Sequence, residues 1–191
     1  GKYQEAIQQL KNIKEQKDSI SESTYLHLGH SYLRVGDEEK AKLSYAAAMR
    51  LNINSRVREE AMYNYVQITY LQGSALGDNI TAFQDFLREY PNTKYTNNVY
   101  ALMADMYMNS KNYKAAYDAL VGIKQPDAKM QETIQFLRYQ LGIDAFLQGN
   151  MKEAANWMTQ VIKNEKKSSH YKTEAYYMRA ESRYRMLQYP A

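Results

Sequence analysis

With 191 residues, 45% of them apolar and 24% charged, the chain has the composition of a globular protein and enough length to bury a core, which excludes a disordered tail. It has no cysteine, so a disulfide framework, a thiolate zinc site and a thiol nucleophile are all excluded, and no apolar run approaches the ~20 residues that span a bilayer. The net charge of +4 is confined to the C-terminal end: residues 1–95 balance 12 basic against 12 acidic side chains, whereas residues 163–191 hold 7 basic and 3 acidic ones.

Only 8 glycines and 3 prolines (Pro91, Pro126, Pro190) punctuate the chain, too few for the reversals of a β-sandwich, and the long stretches between them predict an all-α fold. The first helix is expected over 2–15, where Gly1-Lys2-Tyr3 precedes Ala6, Leu10 and Ile13. Helices over 22–35 and 38–51 form the clearest pair: Tyr25-x2-Leu28-Gly29-x2-Tyr32, then Gly36-Asp37, then Ala41-x3-Tyr45-x2-Ala48. Leu28 and Tyr32 share a helix face, and Gly29 has no side chain where two helices must come close. Gly36 suits the left-handed end of the first helix, and Asp37 caps the second. Helices over 56–72 and 78–90 follow, separated by an inserted turn at 73–79, the one run of small residues in the chain. Pro91 is expected to stop the fifth helix and Asn92 or Thr93 to cap the next. Further helices are expected over 93–109, 112–123, 129–148, 151–165 and 170–187. In these, Tyr100, Met103-Ala104, Tyr107, Asn112-Tyr113 and Ala116 repeat the figure, as do Leu141-Gly142, Gly149-Asn150 and Ala154.

The small residue opening each second helix recurs at Ala6, Ala41, Ala82, Ala116 and Ala154, at intervals of 35, 41, 34 and 38. This spacing, with the aromatic, Leu-Gly, aromatic, small and aromatic order, resembles the tetratricopeptide repeat (TPR) family. The resemblance implies a right-handed superhelix of about ten antiparallel helices forming a single solenoid over 1–191. Its units would be a half repeat at 1–17, repeats at 22–54, 56–91, 93–126 and 129–165, and a half repeat at 170–191. The segment Ala82-Phe83-x2-Phe86-Leu87-x2-Tyr90-Pro91-Asn92-Thr93-x-Tyr95 is similar to bacterial envelope TPR proteins, the outer-membrane assembly lipoproteins and the Tol-Pal periplasmic family. That likeness implies a periplasmic or outer-membrane-associated protein, with a cytoplasmic one as the alternative. Opening on a second helix and closing on a first, the chain reads as part of a longer solenoid, and its uncapped end helices imply self-association.

Chemistry-bearing residues are sparse. His27 and His30, with Arg34 a turn further on, could begin a metal site, but a zinc centre needs a third and usually a fourth ligand. No metal or cofactor is expected. Neither a Gly-x-Ser-x-Gly elbow nor a phosphate-cradling loop is present, which argues against an enzyme. Glu38-Glu39 and Glu59-Glu60 read as first-turn carboxylates favoured by the helix dipole. The family resemblance implies instead a concave groove lined by first helices, binding a peptide or protein partner. Its residues would be His27, His30, Arg34, Asn64, Tyr65, Ile68, Asn98, Leu102, Asp105, Tyr139, Tyr177 and Glu181. The Lys-Asn-Arg clamp of chaperone-binding members is absent. RNA binding through the basic end, with Lys166-Lys167, Arg179 and Arg183, is the alternative. The short length of that stretch, interrupted by Glu181, speaks against a nucleic-acid partner.

Overall fold

The computed structural model describes residues 2–11, 19–73, 76–123, 125–164 and 170–188, without the side chains of 76–79, 170 and 188. Among them the chain is all-α, with ten helices and no strand. These are α1 (Tyr3–Lys11), α2 (Ser19–Arg34), α3 (Glu38–Leu51), α4 (Ser55–Leu71), α5 (Leu76–Glu89), α6 (Thr96–Asn109), α7 (Tyr113–Val121), α8 (Ala128–Leu147), α9 (Met151–Lys163) and α10 (His170–Gln188). Helices adjacent in sequence pack as successive pairs, the arrangement of a helical-repeat fold. The chain divides into two compact units, Gly1–Leu102 and Met103–Ala191. In the first, α2 packs on α1, α3 and α4, and α4 packs on α3 and α5. In the second, α8 packs on α7, α9 and α10, and α9 packs on α10.

Each core is built from the small and large residues that the repeat supplies. Ile7, Leu26, Leu28, Tyr32, Ala41, Tyr45, Ala48, Ala61 and Ile68 form one buried cluster in the first unit. Tyr139, Met158, Val161 and Ala175 form another in the second. The alanines at 41, 116 and 154 have no exposed surface, so each second helix lies flush on its neighbours. The closest approaches fall at the two Leu-Gly pairs. A Cβ on Gly29 would lie 2.5 Å from the Tyr45 ring, and one on Gly142 would lie 2.5 Å from the Met158 terminal methyl. In both cases the opposing side chain is sixteen residues further along.

The tight turn between paired helices is the same in three places. Asp37 N–H donates to Tyr32 C=O (2.9 Å), Asn112 N–H to Tyr107 C=O (2.8 Å) and Asn150 N–H to Ala145 C=O (2.8 Å). The residue before each donor is left-handed: Gly36 and Gly149 at φ 81° and Lys111 at φ 58°. Asp37 and Asn112 then cap α3 and α7 through Lys40 N–H and Ala115 N–H. Lysine in the left-handed region is strained by its Cβ, whereas glycine is not. Lys111→Gly is therefore expected to stabilise the second unit by about 0.5–1 kcal/mol despite the added chain entropy, read as a rise in its urea midpoint. An unchanged or lowered midpoint would show that the strain is relieved elsewhere.

The helix limits differ from expectation at three junctions. Helix α5 begins at Leu76, two residues before the expected start at 78, so the backbone of 76–77 is helical where the inserted turn was expected, and residues 74–75 of that turn lie outside the described residues. These small residues are compatible with a first helical turn once Leu76 opens it. Helix α6 begins at Thr96, not at 93, because a hydroxyl knot occupies the Tyr90-Pro91 junction. Thr93 Oγ1 accepts from Tyr95 N–H (3.2 Å). Thr96 Oγ1 accepts from Thr93 N–H (2.9 Å) and donates to Tyr90 C=O (3.0 Å). Thr93 thus closes the turn that leads into α6, where the helix was expected to begin, and the buried Thr96 completes it. The expected helix ends at 12–15 and at 165, and Lys166-Lys167, lie outside the described residues.

Candidate binding surface

On α2, positions 26, 29 and 32 are spent on packing, which leaves His27, His30 and Arg34 on the adjacent stripe. That stripe faces a cavity of about 750 Å³ in the first unit. Tyr3, Ala6 and Leu10 of α1 line one side, and His27, His30, Ser31, Leu33 and Arg34 of α2 with Asn64 of α4 line the other. Four of the residues expected in a groove, His27, His30, Arg34 and Asn64, therefore meet at one site.

His30 is the hub of the polar side. Its Nε2 lies 3.6 Å from Glu60 Oε1 and 3.5 Å from Asn64 Nδ2. Asn64 Nδ2 is itself anchored by donating to Glu60 C=O at 2.8 Å. The imidazole meets the Tyr45 ring edge-on at 5.5 Å and the His27 ring at 6.2 Å. Burial lowers the His30 pKa below the ordinary histidine value of 6.5; Glu60 opposes that shift, and His27 and Arg34 add to it. Tyr45 is fully buried and its hydroxyl has no hydrogen-bond partner among the described residues; burial, with Glu60 nearby, raises its pKa. Arg34, at the exposed rim, forms no ion pair or hydrogen bond among the described residues. The cluster can therefore donate hydrogen bonds to an incoming acceptor and attract negative charge. Among the described residues no three His, Cys, Asp or Glu side chains gather as metal donors, so the His27–His30 pair stands without a third ligand.

The remaining expected residues are not brought to this cavity. Ile68 is 1% exposed and belongs to the core beneath α2, one turn beyond Asn64. Tyr65 lines a second cavity of about 800 Å³ with Leu43, Met49, Met62 and Ala82, and Lys42 Nζ sits 5.3 Å over its ring. Asn98 is exposed and accepts from Tyr63 Oη at 3.1 Å, beside the Tyr63–Tyr95 stack; Leu102 is half-buried. In the second unit, Asp105 accepts from Asn109 Nδ2 (3.4 Å) and Glu181 from Arg185 Nε (2.7 Å). Tyr139 is buried and hydrogen-bonded to Glu174, and burial together with that bond pushes its pKa up to about 12. Tyr177 is 72% exposed on α10. Of the basic end, Arg179 lies over the Tyr176 ring and Arg185 over the Phe146 ring, so both also serve the fold.

Sequence reasoning missed the α1 wall, where Tyr3 and Leu10 were not assigned to a site, and it missed Glu60. The available signal for Glu60 was its place four residues before Asn64 on one helix face. Compared with known proteins, the chain matches no family model and no curated protein.

Proposed function

We propose that the chain is a TPR-type scaffold, a right-handed superhelix without catalytic activity, that binds a peptide or protein partner in the cavity of its first unit. The observation that carries the reading is the meeting of His27, His30, Arg34 and Asn64 around one opening, with an apolar wall opposite. Cavities of a few hundred Å³ with a few converging polar groups are the usual seats of ligands. The Tyr90-Pro91 junction supports a bacterial envelope location, which fractionation of the source cells would test. A displayed pool of random peptides panned on the protein tests the binding site. His27 is exposed, so His27→Trp plugs the cavity without disturbing the core. Selected peptides are expected to bind this variant at least about tenfold more weakly than the parent, a difference of about 1.4 kcal/mol. Equal binding to both would sink the assignment of the site.

A second reading, self-association, is favoured by α10. Thirty-eight residues separate Tyr139 of α8, which is 9% exposed, from Tyr177 of α10, and Tyr177, Tyr184 and Leu187 form one exposed apolar stripe. In this reading a second copy covers that stripe. Sedimentation over a wide concentration range would show a mass increase abolished by Tyr184→Glu; a constant monomer mass would exclude it.

A further inference from the structure

The two walls of the first-unit cavity differ in chemistry, and the difference specifies what fits between them. The α1 wall carries Ala6 and Leu10 beside the Tyr3 ring. The other ends in Arg34. Elsewhere in the same unit, three cations are matched by carboxylates: Lys40 by Asp37, Arg58 by Glu89 and Arg88 by Asp85. Arg34 has no such partner among the described residues, and it stands at the cavity mouth next to two imidazoles. The Tyr45 ring lies edge-on against His30, and its buried hydroxyl has no hydrogen-bond partner among the described residues.

We propose that this cavity recognises an acidic amphipathic peptide segment, seating an aliphatic side chain on the α1 wall and a Glu or Asp carboxylate against Arg34 and the histidine pair. The inference rests on the reading of the cavity as the binding site and names its ligand class. A guanidinium pairs with a carboxylate through charge-assisted hydrogen bonds, and imidazolium groups add to them.

The charged and titratable groups around His30 give the site a pH dependence. From α2 come His27 and Arg34, from α4 Glu60 beside the neutral amide of Asn64, from α3 the Tyr45 hydroxyl, and from α1 the Tyr3 hydroxyl on the opposite wall. With both imidazoles neutral, Arg34 and Glu60 cancel. Protonating His30 leaves a net positive charge. A bound carboxylate favours the imidazolium, so binding takes up protons and the affinity rises as pH falls through and below the histidine range. It levels off where the peptide carboxylates begin to protonate, near about pH 4.

Fluorescence anisotropy with three blocked twelve-residue probes tests this: one of leucine and glutamate, its leucine–glutamine counterpart, and a leucine–lysine counterpart. The glutamate probe is expected to bind at least about tenfold tighter than the glutamine probe at about pH 5.5, and to weaken about fivefold or more by about pH 7.5. Arg34→Gln should remove most of the glutamate preference, and the double variant His27→Gln, His30→Gln should flatten the pH dependence. All these positions are at least partly exposed, and circular dichroism checks that each variant keeps its fold. Equal affinity for the glutamate and glutamine probes, a preference for the lysine probe, or no binding by any of them overturns acid recognition. Peptides from the random pool that bind at the cavity but lack acidic residues would overturn it too, while leaving the site itself standing. Binding of the glutamate probe that His27→Trp does not weaken sinks the site as well as the ligand class.

Discussion

Gly29→Ala is expected to destabilise the first unit by about 2–3 kcal/mol, even though alanine is the better helix former by about 1 kcal/mol. The added Cβ would lie 2.5, 2.7 and 2.9 Å from the Cε1, Cδ1 and Cζ atoms of Tyr45, distances at which one partner must move. Tyr45 has no freedom to do so. Its ring is fully buried among Leu26, Ala48 and Ile68, and the edge of His30 closes it in. A rigid ring transmits the displacement to α3 as a whole. Gly142→Ala provides the comparison within the same chain, since its Cβ would meet the Met158 Cε at 2.5 Å but the Sδ and the Trp157 Cβ only at 3.2 Å. A methionine terminus swings aside by rotating χ3, so the steric cost is small and the helix propensity of alanine offsets it. The expected change there is within about 1 kcal/mol of zero. Urea unfolding of both variants measures the contrast, with each unit followed separately because the two need not unfold together. Adding Tyr45→Met to Gly29→Ala should recover more than half of the loss. If Gly29→Ala and Gly142→Ala cost the same, the ring contact is not what requires glycine at position 29.

That pair of glycines also shows which parts of the molecule were legible in the sequence. The close approach at Leu28-Gly29 and the turn at Gly36-Asp37 are specified locally, by a missing side chain and by a residue tolerant of positive φ followed by a capping carboxylate. Each leaves a mark at a fixed spacing, and the marks recur at Leu141-Gly142 and Gly149-Asn150. The paired-helix arrangement follows from them. Lys111 escaped because it adopts the glycine conformation without the glycine. The site was legible only in part, for a geometric reason. His27, His30 and Arg34 occupy one stripe of one helix, so their grouping needs nothing beyond the 3.6-residue period. Asn64, Tyr65 and Ile68 lie on α4, whose faces are divided among α2, α3 and α5, and the period alone does not say which neighbour takes which face. Asn64 turns to His30, Tyr65 to the opposite cavity and Ile68 into the core. Tyr139, assigned to the groove by the family resemblance, is buried, and its hydroxyl donates to Glu174 thirty-five residues on.

Glu22 carries no motif and is the largest case of chemistry hidden from the sequence; Glu22→Ala is expected to cost the first unit about 3 kcal/mol. The carboxylate is 0% exposed. Its two oxygens accept from consecutive backbone amides, Oε1 from Ile53 N–H at 2.9 Å and Oε2 from Asn54 N–H at 2.8 Å. Those amides belong to the turn that leaves α3 through the left-handed Asn52 and enters α4, where Asn54 takes the Arg56 N–H. The charge sits close to the N-terminus of α4, where the helix dipole favours it. Burying a carboxylate costs several kcal/mol, and two charge-assisted bonds with the dipole offset that cost only while both amides point inward. Glu22 therefore fixes the geometry of the α3–α4 junction more than it adds net stability, and removing it leaves two amides without their acceptor. Glu22→Gln separates these effects: the amide is the same size but presents an NH2 to a donor, so one bond survives and the expected loss is about 1–2 kcal/mol. Urea midpoints should rank the parent above Glu22→Gln and Glu22→Ala lowest. Hydrogen exchange resolves the cause, because the Ile53 and Asn54 amides should lose protection in both variants before the rest of α4 does. Protection at those two amides that survives Glu22→Ala would mean that the turn is held by the packing of α3 on α4 and that the buried carboxylate is a passenger.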